Sequence, residues 1–224
     1  MNEKLLKAYE TIVEYLKSNT SNEQEIANFN GSPARCVKAL KEMCLSEKEI
    51  EEALSEIIRK VFPLNKEEID KQYNAMKIKG DGMITQGPIV INSMCPHHLM
   101  PVRYEAYVSY VPDNGQVLGL SKLARISKLL GRRPVLQEQL ASDIADVLCA
   151  PRDDEETPLA SRFPAISSKG SAVTLIGVHT CESCRGVQEN ARTCTTEVRG
   201  VYCYDETEDK FQRAIQSLKT SKPF

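Results

Sequence analysis

With 224 residues, 41% of them hydrophobic and 27% charged, the chain has a globular composition and enough apolar side chains for a sizeable core. A formal net charge of -2 leaves no electrostatic footprint for nucleic acid or for an anionic membrane surface. No run approaches the roughly 20 apolar residues needed to cross a bilayer. The first segment, MNEKLLKAYETIVEYLKS, places Leu5, Tyr9, Ile12, Val13 and Leu16 at helical spacing and carries acids throughout. That pattern predicts an amphipathic helix and not a secretory or transit leader, so a cytoplasmic protein is expected. Eight cysteines in a reducing compartment point to metal ligation or free thiols in place of disulfides.

Helices continue through the first third. GSPARCVKAL offers Ser32 as an N-cap and Pro33 at the first helical position. SEKEIEEALSEIIRKVFP opens on a capping box, Ser46 to Glu49, aligns Ile50, Leu54, Ile57, Ile58 and Val61, and stops at Pro63. From about residue 81 the period shortens. Val102, Tyr104, Ala106, Val108 and Tyr110 alternate with more polar neighbours, as in a half-buried strand; IVINSM is its partner and PDNG a turn. Two helical patterns follow, SKLARISKLLG and PVLQEQLASDIADVLCA, opened by Ser and Pro. Residues 151–171, with three prolines and a cluster of acids, read as an exposed loop. AVTLIGVHT and TCTTEVRGVYCY are two further strands, and EDKFQRAIQSLK is a closing helix. The order predicts an α+β fold over residues 81–224, an antiparallel sheet with helices on one face, behind an N-terminal helical region at residues 1–80.

All three histidines sit in cysteine motifs, CPHH and HTCESC. Cys95 and His98 are spaced to reach one ion from a tight turn, which leaves His97 free for proton transfer. Cys181, at the end of a strand, can complete a Cys-His-Cys set; His179, two residues earlier, leaves the same strand face. Zinc takes these donors, and a catalytic site keeps three protein ligands with one position open to water, an arrangement suited to hydrolysis. The spacing equally allows a closed structural zinc on Cys95, His98, Cys181 and Cys184, which leaves His97 and His179 without a task. Cys36, Cys44, Cys149, Cys194 and Cys203 read as packing residues.

SMCPHHLMPV, GLSKLARI, RRPVLQEQL and HTCESCRG, in this order and spacing, resemble the motifs of the GTP cyclohydrolase I family, from about Pro33 to the last strand. The resemblance implies the T-fold, built of two strands, two helices and two strands. It implies zinc on Cys95, His98 and Cys181, with His97 and His179 as the acid–base pair. Lys122, Arg125 and Arg185 become triphosphate ligands, and Arg35, in SPARCVKAL, matches an arginine that reaches the triphosphate from a neighbouring subunit. Glu138 matches the acid that accepts from the guanine N–H groups, and Gln137 and Ser121 match further nucleotide contacts. The implied reaction converts GTP to 7,8-dihydroneopterin triphosphate and formate in a homo-oligomer, two pentamer rings forming a decamer, with no nucleic-acid or membrane partner.

Without the motif, Lys122 and Arg125 read as a solvated helix face and Glu138 as an exposed helix acid. The chain also departs from the family pattern beside the site. Pro96 replaces the glutamate of C-E-H-H, Gln139 replaces the arginine of Q-E-R-L, and VRYEAY stands where a glycine is usual soon after H-H-L-x-P. Cys184 is an added thiol, and residues 151–171 resemble an insertion. These departures keep two alternatives open: action on a different purine nucleotide, or a zinc-stapled subunit that binds a nucleotide without turnover.

Overall fold

Side-chain caps start the first helices. Asn2 Oδ1 accepts from Leu5 N at 3.3 Å ahead of α1 (Glu3–Lys17), and Asn22 Oδ1 accepts from Gln24 N at 3.0 Å ahead of α2 (Glu23–Asn28). The start of α3 (Ser32–Met43) differs from the expected Ser32 cap: Gly31 is the cap, in the left-handed region at φ 74°, and Ser32 is the first helical residue. Glycine takes that conformation without a Cβ penalty, so the helix begins one residue early. The computed structural model describes residues 2–59, 62–63, 82–113, 116–149 and 162–220. Its first compact unit is Met1–Leu45, in which α1 packs on α3 around the buried Val13 and Val37.

The second unit, Ser46–Phe224, opens on the predicted capping box. Glu49 Oε2 accepts from Ser46 N at 2.8 Å, and Ser46 Oγ accepts from Glu49 N at 3.3 Å. Helix α4 (Glu47–Arg59) buries Ile50 and Leu54 on one face. Residues 60–61, which include Val61, lie outside the described residues. A two-residue strand, β1 (Phe62–Pro63), pairs antiparallel with β4 (Gln116–Val117); Asn114 and Gly115 of the expected PDNG turn also lie outside the described residues.

The main sheet joins β2 (Ile84–Met94), β3 (Pro101–Pro112), β5 (Ser168–His179) and β6 (Thr193–Gly200), antiparallel throughout and ordered β2-β3-β5-β6. Helices α5 (Leu120–Leu130) and α6 (Gln137–Leu148) lie between β3 and β5 in sequence, and α4 packs on α5. This is the α+β T-fold order that the resemblance implies. Each helix begins off its expected residue: α5 follows Gly119, and α6 follows Leu136, two residues after Pro134. A short helix, α7 (Thr180–Ser183), leaves the end of β5, and α8 (Asp205–Thr220) closes the chain. Among the described residues no helix is long and apolar enough to cross a membrane.

The sheet is covered on both faces, which corrects the one-face expectation. Tyr104, Ala106, Val108 and Tyr110 are buried on the face that carries α6, where Ser171 Oγ donates to Ala145 O at 2.7 Å. The opposite face packs Tyr107, Val111 and Ala172 against Tyr202, Phe211 and Ile215, the last two from α8. The polar signal of Ser109 hid this second core; its Oγ is satisfied inside by Tyr202 Oη at 2.5 Å and Thr85 Oγ1 at 2.8 Å. The last strand also ends earlier than expected, at Gly200 (φ 59°), where a Cβ would overlap Lys169 O. A 3₁₀ turn, Val201–Cys203, follows.

Other cysteine and loop expectations change as well. Cys194 and Cys203 are exposed, against the packing role expected of them, while Cys149 is buried and Cys36 and Cys44 are half-buried. Residues 151–161 of the expected loop lie outside the described residues. Beyond them residues 162–167 are irregular, with Arg162, Pro164 and Ser167 exposed as expected of a loop, but Phe163 and Ile166 are buried and Ser168 already belongs to β5. The Phe163 ring lies under the Arg133 and Arg162 guanidinium groups at 5.2 and 5.4 Å.

A buried ion pair supports α6. Arg133 Nη2 donates to Asp143 Oδ2, Arg133 Nε donates to Leu130 O at 3.0 Å, and Gln139 Nε2 donates to Asp143 Oδ1 at 2.8 Å. Removing one member of a buried pair leaves an uncompensated charge, at a cost of roughly 3–5 kcal/mol. Asp143→Ala is therefore expected to lower the unfolding free energy by about that amount in chemical denaturation. The double variant Arg133→Met, Asp143→Leu should lose less than Asp143→Ala alone; a double variant that loses more would show that the pair itself is stabilising.

Candidate metal and catalytic site

The site forms where three chain segments leave one end of the sheet. After β2 the chain turns through Cys95–Met100, closed by Leu99 N donating to Cys95 O and Cys95 N donating to Met100 O, both at 2.9 Å. Leu99 sits in the left-handed region at φ 53° to complete the turn. The β3–β5 register pairs Val102 with His179, bringing the end of β5 beside this turn, and Thr180 Oγ1 donates to Pro101 O at 2.5 Å. Strand β5 stops at His179, so Cys181 lies in α7 and not on the strand. The two side chains are thus brought to one place by a strand-to-helix bend and not by strand alternation, which corrects the expected geometry.

The ligand atoms of Cys95, His98 and Cys181 all lie within 4.8 Å of one another, and His98 Nδ1 is 3.8 Å from Cys95 Sγ. Ligands at zinc–sulfur and zinc–nitrogen distances of about 2.3 and 2.0 Å stand roughly 3–4 Å apart around one ion, so this donor set fits a metal. Burial, followed by its hydrogen bond with the Cys95 thiol, pushes the Cys181 thiol up from its ordinary value. On the other side of the ring, Arg185 Nη2 donates to His98 Nε2. Cys184 is exposed, with Ser183 Oγ at 3.8 Å, and stands outside the three-residue group.

The metal group, both remaining histidines, Gln137 and Glu138 wall one cavity of about 290 Å³, together with Pro96. His97 is exposed, its ring 6.3 Å from that of His98 and nearly perpendicular to it. His179 is held differently. Gln137 Nε2 donates to Leu175 O at 3.1 Å and Thr193 O at 3.0 Å, which turns its Oε1 toward His179 Nε2 at 2.9 Å. An amide oxygen accepts, so His179 Nε2 carries a hydrogen, and Nδ1 is the free nitrogen of the neutral ring.

Two neighbours of His179 were not singled out as site residues in the sequence. Gly177 lies two residues earlier on β5, where a Cβ would overlap Gln137 Oε1 and come within 2.8 Å of Tyr104 Cε1. Tyr104 pairs with Gly177 across the sheet and meets the His179 ring edge-on, centroids 5.8 Å apart. The signal for it was VRYEAY, the stretch that lacks the family's usual glycine. Gln137, expected as a nucleotide contact, is buried and makes three hydrogen bonds inside the protein.

None of Ser121, Lys122, Arg125 and Arg185 is among the cavity's walls. Ser121 and Arg125 are exposed on α5 and Lys122 is buried there. Arg185 is exposed beside His98. Arg35, in the first unit, is exposed and donates through Nη2 to Asn30 O at 2.7 Å.

Residues 6–216 match the model of the GTP cyclohydrolase I family. The GTP cyclohydrolase 1 of Thermoanaerobacter pseudethanolicus is 38% identical over 135 residues, 60% of this chain and 63% of the relative's length. That of Pelotomaculum thermopropionicum is 31% identical over 200 residues, 89% of this chain and 88% of the relative. The archaeosine synthase QueF-Like structure in its apo form covers 54% of this chain and 95% of its own, at 14% identity and a TM-score of 0.30, too low to carry an argument. With the family model matched along nearly the whole chain, and a relative shared over 88% of its length, this chain belongs to the GTP cyclohydrolase I family.

Proposed function

We propose that the chain is a zinc-dependent hydrolase that converts GTP to 7,8-dihydroneopterin triphosphate and formate. The observation that carries this reading is the convergence of Cys95, His98 and Cys181 with the two other histidines and Glu138 on one cavity. A zinc held by these three side chains supplies a Lewis acid that lowers the pKa of water. His179, with Nε2–H committed to Gln137, presents Nδ1 to take the proton that a water loses as it adds to C8 of guanine. His97, on the cavity wall, gives a proton to the ring nitrogen as its bond to C8 breaks. Glu138, in the first turn of α6, accepts the two adjacent guanine N–H groups. A pterin triphosphate product can feed folate, biopterin or modified-base synthesis, and we take it to supply tetrahydrofolate and one-carbon metabolism in the cytoplasm. Incubation with GTP, followed for formate and for fluorescent oxidised neopterin, tests the reading directly; no formate from zinc-loaded protein would overturn it.

Metal content and turnover should separate by residue. Cys181→Ser is expected to lose zinc and activity together, whereas Cys184→Ser keeps both. His97→Ala and His179→Ala should retain about one zinc per chain by elemental analysis and lose roughly 10²–10⁴-fold in kcat, the contribution typical of a general acid or base. Near wild-type rates in both histidine variants would make these side chains structural.

Base selection rests on Glu138. Adenine offers an acceptor where guanine offers a donor, and an unpaired carboxylate of that kind costs on the order of 1–3 kcal/mol. The inactive His179→Ala protein should therefore bind GTP about 10- to 100-fold more tightly than ATP in calorimetric titration. Equal affinity would favour a different purine nucleotide.

Assembly follows from charge and sheet edges. Lys122, Arg125 and Arg185 supply three positive charges for a triphosphate bearing about four negative ones, and Arg35 from a neighbour brings the two near balance. Strands β2 and β6 are the sheet's edges, and open edges favour pairing with another copy. The expected assembly is a homo-oligomer, two pentamer rings forming a decamer. Mixing Arg35→Ala with His179→Ala under subunit exchange should restore part of the activity, because some mixed sites regain both residues. No recovery despite demonstrated exchange would show that Arg35 does not act across an interface.

A further inference from the structure

Gln137 matches a nucleotide contact of the family, but its amide is already committed inside the protein. The residue borders the cavity, and only 3% of its surface is exposed. A primary amide carries two donor hydrogens and one acceptor oxygen. Nε2 gives both hydrogens to backbone, to Leu175 O at 3.1 Å and to Thr193 O at 3.0 Å, and so has no donor left for a nucleotide. The two carbonyls belong to neighbouring strands, close to where the β5–β6 ladder ends on the pair Gly177 and Thr193. Together they fix the polarity of the amide. Turned over, it would set Oε1 against both carbonyl oxygens and leave buried acceptors unpaired. Oε1 is therefore held 2.9 Å from His179 Nε2. Gly177 provides the room, since a Cβ there would overlap Oε1 and come within 3.0 Å of His179 Nε2.

We infer that Gln137 is a positioning residue for His179 and not a nucleotide contact: its oxygen holds the imidazole hydrogen on Nε2 and keeps Nδ1 as the nitrogen that takes a proton. The inference rests on the reading of His179 as the proton acceptor of the proposed GTP reaction. A ring without this partner could exchange tautomers or turn over, and would present the accepting nitrogen only part of the time. A neutral amide fixes the ring without adding a third carboxylate to walls that already include Glu138 and Glu182.

Solid-state nitrogen NMR of protein labelled only at histidine reads the tautomer without substrate. The His179 signals, assigned by their loss in His179→Ala, should show hydrogen on Nε2 and a bare Nδ1 in the neutral ring. Hydrogen on Nδ1 would overturn the inference, and this spectrum does not depend on any Gln137 variant folding. Gln137→Met keeps the side-chain length and removes the amide. It should keep its zinc, give His179 a mixture of tautomers, and lose roughly 10–100-fold in kcat, as when a group that orients a functional side chain is removed. On the inactive His179→Ala background the same change should leave GTP affinity unaltered in calorimetric titration. Weaker GTP binding there would return Gln137 to the nucleotide and overturn the inference, as would an unchanged kcat in Gln137→Met. No formate from zinc-loaded wild-type protein, alongside a ring with hydrogen on Nε2, would overturn the GTP reading and leave the Gln137–His179 assignment standing.

Discussion

The pairing of β3 with β5, Val102 opposite His179 and Tyr104 opposite Gly177, determines where every part of the site lies. A one-residue slip would turn the side chains of one strand to the other face, sending either His179 away from Gln137 or Tyr104 toward α8. Burial on both faces opposes that slip. Tyr104, Ala106, Val108 and Tyr110 fill the α6 side, and Tyr107 and Val111 fill the α8 side, so a shifted strand would misplace two cores at once. With the register fixed, the Cys95–Met100 turn and α7 leave the sheet at the same end, and their three ligand atoms come within 4.8 Å of one another.

Gln137 then links the packing of α6 to the orientation of a histidine. It is the first residue of α6, and its amide spans Leu175 O on β5 and Thr193 O at the start of β6. With both donated bonds taken by backbone, the orientation of the amide oxygen follows from the helix–sheet contact. The His179 tautomer follows from that oxygen. Gly177 is the condition for this arrangement, since a Cβ at that position would occupy the space of the accepting oxygen. A residue far from any reacting atom in sequence thereby determines which imidazole nitrogen is free.

The helix–strand order was legible because it is written in periodicity, and the metal group because three donors fall in two short motifs. What stayed hidden depended on tertiary partners. Ser109 and Glu105 made β3 look half-exposed, and only the hydroxyls of Tyr202 and Thr85 explain why Ser109 is interior. Phe163 and Ile166 sit in a stretch whose prolines and neighbouring acids read as loop, while Arg133 covers the Phe163 ring. Ser32 lost its cap role to a glycine whose left-handed conformation has no side-chain signal beyond the missing Cβ. Tyr104 was visible as a departure from the family pattern. Its meaning needed the cross-strand register, which a sequence of alternating residues does not state.

The electrostatics of the cavity bear on how the proposed substrate divides between surfaces. Glu138 and Glu182 are among its walls, with two thiols, and none of the described residues that wall it is a lysine or arginine. A triphosphate placed there would meet two carboxylates and no lysine or arginine among the described walls, which is unfavourable at contact distance in a partly desolvated space. A guanine base meets the opposite situation, because it presents N–H donors to a carboxylate. Under the proposed function, the base is the part of the substrate that suits the cavity and the phosphates are the part that does not. Within the second unit, the cations proposed for them are not among the cavity's walls: Arg185 stands beside His98, and Lys122 and Arg125 are on α5. In the proposed reaction, the groups for chemistry at the base lie within one cavity of one chain, while the positive charge a triphosphate needs is absent from the described residues that wall it.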